Sequence, residues 1–224
     1  MERLLHFIER YPLDFISYLS SSLPIIIGYF RLSSLKGNLR IIWYLFIFFF
    51  LKDTYALVHM FLIPDILYVQ NLEAIIETII VGFIFLYSFD NSLYKKLLIV
   101  LTIICAAITI IFYKSTDVSS ISLSAFRLFS IILSLSYFNK VLTDMRVKSI
   151  TRHSMFWFTA GLLIYAAGTF FIVLFSEYWY KDINKVPAEV FDKYWNASQI
   201  LFIIFGLFSA YGLWTSKYDQ ENLI

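Results

Sequence analysis

Charged residues are scarce in this chain and make up 15% of its 224 residues, whereas a soluble domain has about a quarter. Hydrophobic residues make up 60%, and the mean hydropathy is +0.74. No polar block is long enough for a separate soluble domain, so we expect residues 1–224 to form a single membrane-embedded bundle. The net charge of +2 gives no reason to expect a nucleic-acid partner, whereas the lipid bilayer is implied by the composition.

Cysteine and recognisable catalytic motifs are also lacking. The one cysteine, Cys105, lies in an apolar run, which excludes a disulfide within the chain and favours a small apolar role. The HExxH, GxSxG, CxxC, Walker and GxGxxG patterns are absent. The histidines, His6, His59 and His153, fall at different depths, so we expect no metal site and no cofactor. The last apolar segment contains no lysine, which disfavours a retinal protein.

Long apolar runs are what the sequence has in abundance. A membrane-spanning helix needs about 20 apolar residues. Seven segments qualify, at 13–30, 41–62, 72–88, 96–113, 119–139, 155–176 and 196–215. These runs are too long for strands and do not alternate, and only helices or closed barrels satisfy the backbone in lipid. The sequence therefore predicts an all-α polytopic membrane protein with seven transmembrane helices.

The distribution of Lys and Arg predicts the orientation of this bundle. The segments that follow the odd-numbered spans contain ten: Arg31, Lys36, Arg40, Lys95, Lys96, Lys140, Arg146, Lys148, Arg152 and Lys217. The opposite side contains six: Arg3, Arg10, Lys114, Lys181, Lys185 and Lys193. Because basic loops favour the cytoplasm, we expect the N-terminus outside and the C-terminus in the cytoplasm.

A cation and an anion stand side by side inside the second apolar segment. Lys52 and Asp53 interrupt the stretch YLFIFFFLKDTYALVHMFLIP, which covers residues 44–64. At a helical rise of 1.5 Å per residue, they lie about 16–18 Å below the outer end of this segment. This depth is near the middle of the membrane.

Other charges fall in the outer half of the neighbouring segments. Glu73 lies at the outer mouth of the third segment, Glu77 is about 8 Å deeper, and Arg127 is about 12 Å deep in the fifth segment. Glu73 and Glu77 are four residues apart and therefore share one helix face. Arg127 lies in the middle of a polar stripe that also contains Ser120, Ser124, Ser130 and Ser134. Asn196 and Gln199 share a face at the outer end of the last segment.

These side chains are predicted to face inward and to meet. A charge that faces hydrocarbon costs at least about 2.5 kcal/mol, which favours pairing inside the bundle. We expect an outer-half polar chamber that binds a ligand, lined by Lys52, Asp53, Glu73, Glu77, Arg127, Asn196 and Gln199. A second interpretation stays open, since buried ion pairs and serine stripes also hold helices together without binding anything.

Proline and glycine positions predict details of the packing. Pro24 in the first segment predicts a kink. The glycines at 161, 168, 206 and 212 predict close contacts between helices.

Four phrases carry a family resemblance that spans nearly the whole chain. They are SLPIIIGYFRLSSLKGNLRIIWYLFIFFF, QNLEAIIETIIVGFIFLYSF, MFWFTAGLLIYAAGTFFIVLFS and WNASQILFIIFGLFSAYGLW. In this order they resemble a family of seven-helix membrane proteins from Bacteroidota, and FWFTAGLLIYAAGTFF is the best-marked piece. Members are often encoded beside sensor histidine kinases or form their input half.

The chain departs from this family at two places near the outer mouth. The family tends to have His-Ile-Tyr before the glutamate of its third helix, where this chain has Asn71-Leu72-Glu73-Ala74 before Glu77. The family's Trp-Ile-His at the start of the last helix is replaced by Trp195-Asn196-Ala197. The resemblance implies a bacterial inner membrane and a sensory role, and it brings no established site residues.

These observations predict a receptor-like sensor that binds a small ligand, an ion or a lipid in the outer chamber. The ending KYDQENLI is too short for an output domain, so we expect a separate cytoplasmic partner, a histidine kinase or another signalling protein. A homo-oligomer is compatible with this function. A transporter or channel for a small solute or ion is the alternative, and a membrane-embedded enzyme ranks third.

Overall fold

The computed structural model describes residues 9, 11–62, 67–115, 118–144, 149–176 and 188–219. These residues form α1 Pro12–Ser20, α2 Ser22–Phe30, α3 Asn38–Leu62, α4 Leu67–Ser88, α5 Ser92–Ile111, α6 Ser120–Asp144, α7 Ser154–Leu174 and α8 Ala188–Thr215. Short 3₁₀ turns cover Ile150–Arg152 and Ser216–Tyr218. None of the described residues lies in a β-strand.

Seven helical stretches are long and apolar enough to cross a membrane. They are Pro12–Phe30, Asn38–His59, Asn71–Ser88, Ser92–Ile111, Ser120–Thr143, Ser154–Leu174 and Asp192–Tyr218. Each coincides with one predicted segment to within a few residues at its ends. The prediction of an all-α polytopic membrane protein with seven transmembrane helices is confirmed. The orientation stays a prediction, and Arg3, Arg10, Arg146, Lys148, Lys181 and Lys185, which contributed to it, lie outside the described residues.

The first span is divided into α1 and α2 at Ser21. The hydroxyls of Ser20, Ser21 and Ser22 each donate to a carbonyl three residues earlier, at 2.6–2.7 Å. Pro24 has no N–H to offer the Ser20 carbonyl, which in a regular helix would be its acceptor. Ser21 itself keeps helical backbone angles, with φ −65° and ψ −22°, so the kink at Pro24 stays a prediction. A Cβ on Gly206 would lie 3.2 Å from the Ser20 carbonyl oxygen, so α8 approaches the broken turn closely.

Glycines also bring α7 and α8 together. A Cβ on Gly161 would lie 2.9 Å from Phe208 Cβ, and one on Gly212 would lie 2.8 Å from the Ser154 carbonyl oxygen. A Cβ on Gly168 would meet a leucine side chain of α8 at 2.6 Å. Real Cβ atoms do not fit at these separations, so the predicted role of the glycines in close helix contact is confirmed.

Buried aromatic rings fill the middle of the bundle. We define the aromatic layer as Phe46, Phe49, Phe85, Phe158 and Phe205, each at most 3% exposed. Neighbouring rings in this layer have centroids 5.3–6.4 Å apart. The layer joins α3, α4, α7 and α8, and it forms the base on which the polar site rests.

Candidate functional site

Lys52 bridges two carboxylates from two helices. Its Nζ lies 2.7 Å from Asp53 Oδ1, on its own helix α3, and 2.7 Å from Glu73 Oε1 on α4. The three side chains are 18–25% exposed. The adjacent charges of the sequence are therefore an ion pair that also ties α3 to α4.

Arg127 forms the second part of the site and joins three helices. Its Nη1 lies 3.7 Å from Glu77 Oε2 on α4, and its Nη2 donates to the Tyr165 hydroxyl on α7 at 2.8 Å. The guanidinium carbon also stands 4.4 Å from the centroid of the Tyr165 ring, within range for a cation–π interaction. Arg127 is 9% exposed and Glu77 is 5% exposed, so this cluster is almost removed from solvent.

The two ion pairs form one network because Glu73 and Glu77 share a face of α4. They are one helical turn apart, which brings the Lys52–Glu73 pair and the Arg127–Glu77 pair next to each other. Within the part of the chain that the structure describes, the network contains two cations, Lys52 and Arg127, and three carboxyls, since Asp53 also belongs to it. Neutrality therefore requires one proton on the carboxyls or one additional cation.

A cavity of about 330 Å³ lies over this network. Its charged and amide lining consists of Lys52, Asp53, Glu73, Arg127 and Gln199. The remaining lining is largely aromatic and aliphatic, with Tyr165, Tyr194, Trp195 and Phe202 contributing rings. This volume lies at the lower end of the range for small-molecule sites, about 300–1,000 Å³.

The cavity occupies one end of the bundle. It is lined by residues near the beginning of α4 and α8 and near the end of α7. Tyr165 forms part of its base and stacks on Phe205 of the aromatic layer, with centroids 5.7 Å apart and planes 4° from parallel. We call this the cavity end, and the other, which contains His153 and Asp219, the tail end.

Five of the seven predicted site residues line the cavity, namely Lys52, Asp53, Glu73, Arg127 and Gln199. Glu77 does not line the cavity and belongs to the site through its ion pair with Arg127. Asn196 is exposed and does not line the cavity. The inward face of α8 instead carries Trp195, Ser198, Gln199 and Phe202, a helical spacing that leaves Asn196 outside it.

Two participants were not identified from the sequence. Tyr165 stands within an apolar run, and nothing in that run marks its hydroxyl as the acceptor for Arg127. Asp14 accepts a hydrogen bond from Trp195 Nε1 at 2.7 Å, which ties α1 to α8 at the cavity end. Asp14 is an acidic residue in the first turn of an apolar helix, and this position could have identified it from the sequence.

A second polar network lies at the tail end. The Tyr137 hydroxyl and His153 Nε2 are 2.6 Å apart, and His153 Nδ1 is 3.4 Å from Asp219 Oδ1. The backbone N–H of Ser154 donates to the same Asp219 oxygen at 2.9 Å. We call Tyr137, His153 and Asp219 the tail triad. It attaches the end of the described chain to α6 and to the beginning of α7.

Metal-ligating groups do not cluster within the part of the chain that the structure describes. No three His, Cys, Asp or Glu side chains there are arranged to hold a metal ion together.

Comparison with protein-family models, curated proteins and solved structures gives no match to this chain. The resemblance to the Bacteroidota family therefore stays a prediction.

Proposed function

We propose that this chain is a receptor-like sensor that binds a small ligand at the cavity end and signals to a separate partner at the tail end. The observation that carries the proposal is the charged cavity closed at its base by the aromatic layer. In this proposal the cavity end faces outward from a bacterial inner membrane. The partner is a cytoplasmic histidine kinase or another signalling protein.

The chemistry of the cavity favours a small organic cation, such as a protonated amine. The network has one carboxyl more than it has cations, and Asp53 is its most exposed charged side chain, at 25%. Aromatic faces attract cations when the charge lies within about 6 Å of the ring centroid, and Tyr194, Trp195 and Phe202 supply such faces around the cavity. A cation held by a carboxylate and these rings would supply the missing positive charge.

Ligand binding has a direct route to helix packing. Lys52 connects α3 to α4, and Arg127 connects α6 to α4 and α7. A cation that pairs with Asp53 or Glu73 competes with Lys52 for that carboxylate. Its affinity therefore depends on how α3 and α4 are arranged. Such a difference is what a ligand needs to shift a conformational equilibrium.

A small-solute transporter is the second candidate, and one observation favours it. Another cavity, of about 580 Å³, lies at the tail end and includes Asp90, Asn139 and Lys140. Two cavities separated by a closed layer are what alternating access through one bundle requires. The receptor function ranks higher because the rings between the cavities are tightly packed and buried.

Ligand-dependent thermal unfolding of the detergent-purified chain tests the proposal. A panel of amines, zwitterions, anions and lipids is compared on wild type, Asp53→Asn, Glu73→Gln and, as a matched control at the tail end, Asp90→Asn. A specific ligand at about one hundred times its Kd stabilises the fold by about 2.7 kcal/mol. We expect an amine to stabilise wild type and Asp90→Asn, and to lose this effect in Asp53→Asn and Glu73→Gln.

Two results would overturn this function. If no compound in the panel stabilises wild type, the cavity is not a ligand site and the receptor function is wrong. If the stabilising amine also accumulates inside liposomes that contain the protein, and Glu73→Gln abolishes the uptake, the chain is a transporter.

A further inference from the structure

Buried hydroxyls without partners lie in the otherwise apolar part of the bundle. Ser130 and Ser134 on α6 and Thr159 on α7 are 0% exposed, and their hydroxyl oxygens have no hydrogen-bond partner among the residues that the structure describes. Serine and threonine in a helix commonly donate to a carbonyl one turn back. Ser136 does so to Ile132 and Thr169 does so to Tyr165, both at 2.7 Å. The three unpartnered hydroxyls are therefore free to bond across the helix interface.

On α6 these hydroxyls complete a line between the two polar networks. Arg127, Ser130, Ser134 and Tyr137 follow each other at helical spacings of three, four and three residues, which places them on one face. The line extends for about 15 Å along the helix axis. It begins at the Arg127–Glu77 pair below the cavity and ends at Tyr137 of the tail triad.

The facing helix contributes a hydroxyl at the same depth. The Arg127–Tyr165 and Tyr137–His153 contacts fix the register of antiparallel α6 and α7. This register places Thr159 within one turn of Ser134. Buried polar groups without protein partners are the usual sites of internal water. Neighbouring side chains on a helix face have Cβ atoms about 5–6 Å apart, so one water could bond to two successive hydroxyls.

We propose that Ser130, Ser134 and Thr159 form a hydrated proton path between the carboxyl pair Glu73–Glu77 and the tail triad. This inference goes beyond the proposed function, because it needs no organic ligand. The rings of the aromatic layer are buried and in contact with each other, which disfavours passage of a solute, whereas a chain of hydroxyls and single waters passes protons alone. Glu77 offsets the charge of Arg127, which would otherwise repel an incoming proton.

The transfer balances at every step. A proton leaves the carboxyl group of Glu77, and each water or hydroxyl along the line accepts a proton on a lone pair and releases its own. The imidazole of His153 receives the last proton through the Tyr137 hydroxyl. The imidazolium then releases its Nδ1 proton to Asp219, which passes it to solvent at the tail end, and the ring returns to its first tautomer for the next transfer. The other charged groups around the two ends, among the described residues, include Lys52, Asp53, Glu73, Arg127, Asp14, Asp90, Lys140 and Arg152.

Proton flux into liposomes tests the path. The full chain is reconstituted around an enclosed pH-sensitive dye, and an acid pulse is applied outside while potassium and valinomycin clamp the voltage. We compare wild type with the double variant Ser130→Ala/Ser134→Ala and with the single variant Ser134→Thr, which keeps a hydroxyl at this position. The matched control is Ser136→Ala, because that hydroxyl is exposed and bonded back to its own helix.

We expect wild type to equilibrate protons faster than protein-free liposomes. The protein-dependent rate should be about tenfold lower in the double variant, which corresponds to about 1.4 kcal/mol of added barrier. Ser134→Thr and Ser136→Ala should retain the wild-type rate. The path is overturned if wild type matches protein-free liposomes, or if the double variant, with an unchanged melting temperature, conducts like wild type.

The two proposals fail separately. The serines of the path do not line the cavity, so amine-dependent stabilisation should be the same in Ser130→Ala/Ser134→Ala as in wild type. Proton flux without any stabilising ligand supports the path and contradicts the receptor function. Ligand stabilisation without proton flux supports the receptor function and contradicts the path.

Discussion

Arg127 and Tyr165 contact each other in two ways across the α6–α7 interface. The Nη2 atom donates to the phenol oxygen at 2.8 Å, and the guanidinium carbon lies 4.4 Å from the ring centroid. The same ring stacks on Phe205. Tyr165 therefore holds the buried cation of the site and connects it to the aromatic layer.

Tyr165→Phe should destabilise the bundle while keeping the ring in place. The phenylalanine retains the stacking on Phe205 but leaves one donor of a buried guanidinium unpaired. We expect a loss of about 1–2 kcal/mol, the upper range for a hydrogen bond between membrane helices. Unfolding in mixed detergent measures it, and Tyr87→Phe at an exposed position is the control. Equal stabilities of the two variants would contradict the structural role of this hydroxyl.

The charge balance of the network predicts which substitutions it tolerates. Lys52→Met leaves one cation, Arg127, against three carboxyls, whereas Glu73→Gln leaves two cations against two carboxyls. We expect Lys52→Met to cost about 3–5 kcal/mol, as for removing one partner of a buried pair. Glu73→Gln should cost less than this, because Lys52 keeps Asp53 as its partner and the two remaining cations face two carboxyls.

The same unfolding assay checks this order of stabilities. Lys140→Met is the matched control, because its carboxylate partner Asp90 is 77% exposed, and we expect it to cost about 1 kcal/mol or less. If Glu73→Gln were as harmful as Lys52→Met, the excess carboxyl would be needed for stability and the balance described above would be wrong.

Arg127 and Glu77 should show strong energetic coupling. Either single substitution to glutamine leaves a buried charge without its partner, while the double substitution removes both charges. A double-mutant cycle should therefore give a coupling of about 1–3 kcal/mol. Melting of the three variants and wild type provides the four values. Additive effects would show that the 3.7 Å approach of the two groups contributes no stability.

The charged core of the site was predictable because lipid forces buried charges to pair. The sequence placed Lys52, Asp53, Glu73 and Arg127 between the outer mouth and the middle of the membrane, and the structure brings them together around one cavity. Helical spacing also predicted that Glu73 and Glu77 share a face. These positions could be predicted from the free-energy penalty for a charge in hydrocarbon, and no sequence motif was needed.

Finer features depend on tertiary geometry that the sequence does not encode locally. Asn196 and Gln199 are three residues apart on α8, yet Asn196 is exposed and Gln199 lines the cavity. The hydroxyl of Tyr165 has the same local pattern as any tyrosine in an apolar run. The tail triad joins His153 to Asp219 across two helices, so no short-range pattern relates these residues.

The tail triad should control how firmly the end of the described chain is held. His153→Phe keeps a ring that can stack near Tyr137 but removes both nitrogen contacts, to the Tyr137 hydroxyl and to Asp219. Among the contacts that the structure describes, Asp219 would then keep its bond from the Ser154 backbone. We expect faster hydrogen exchange in residues 215–219 and little change in α3 or α4. Ser149→Ala, in the same connection but outside the triad, is the control, and unchanged exchange in His153→Phe would show that other contacts hold this segment.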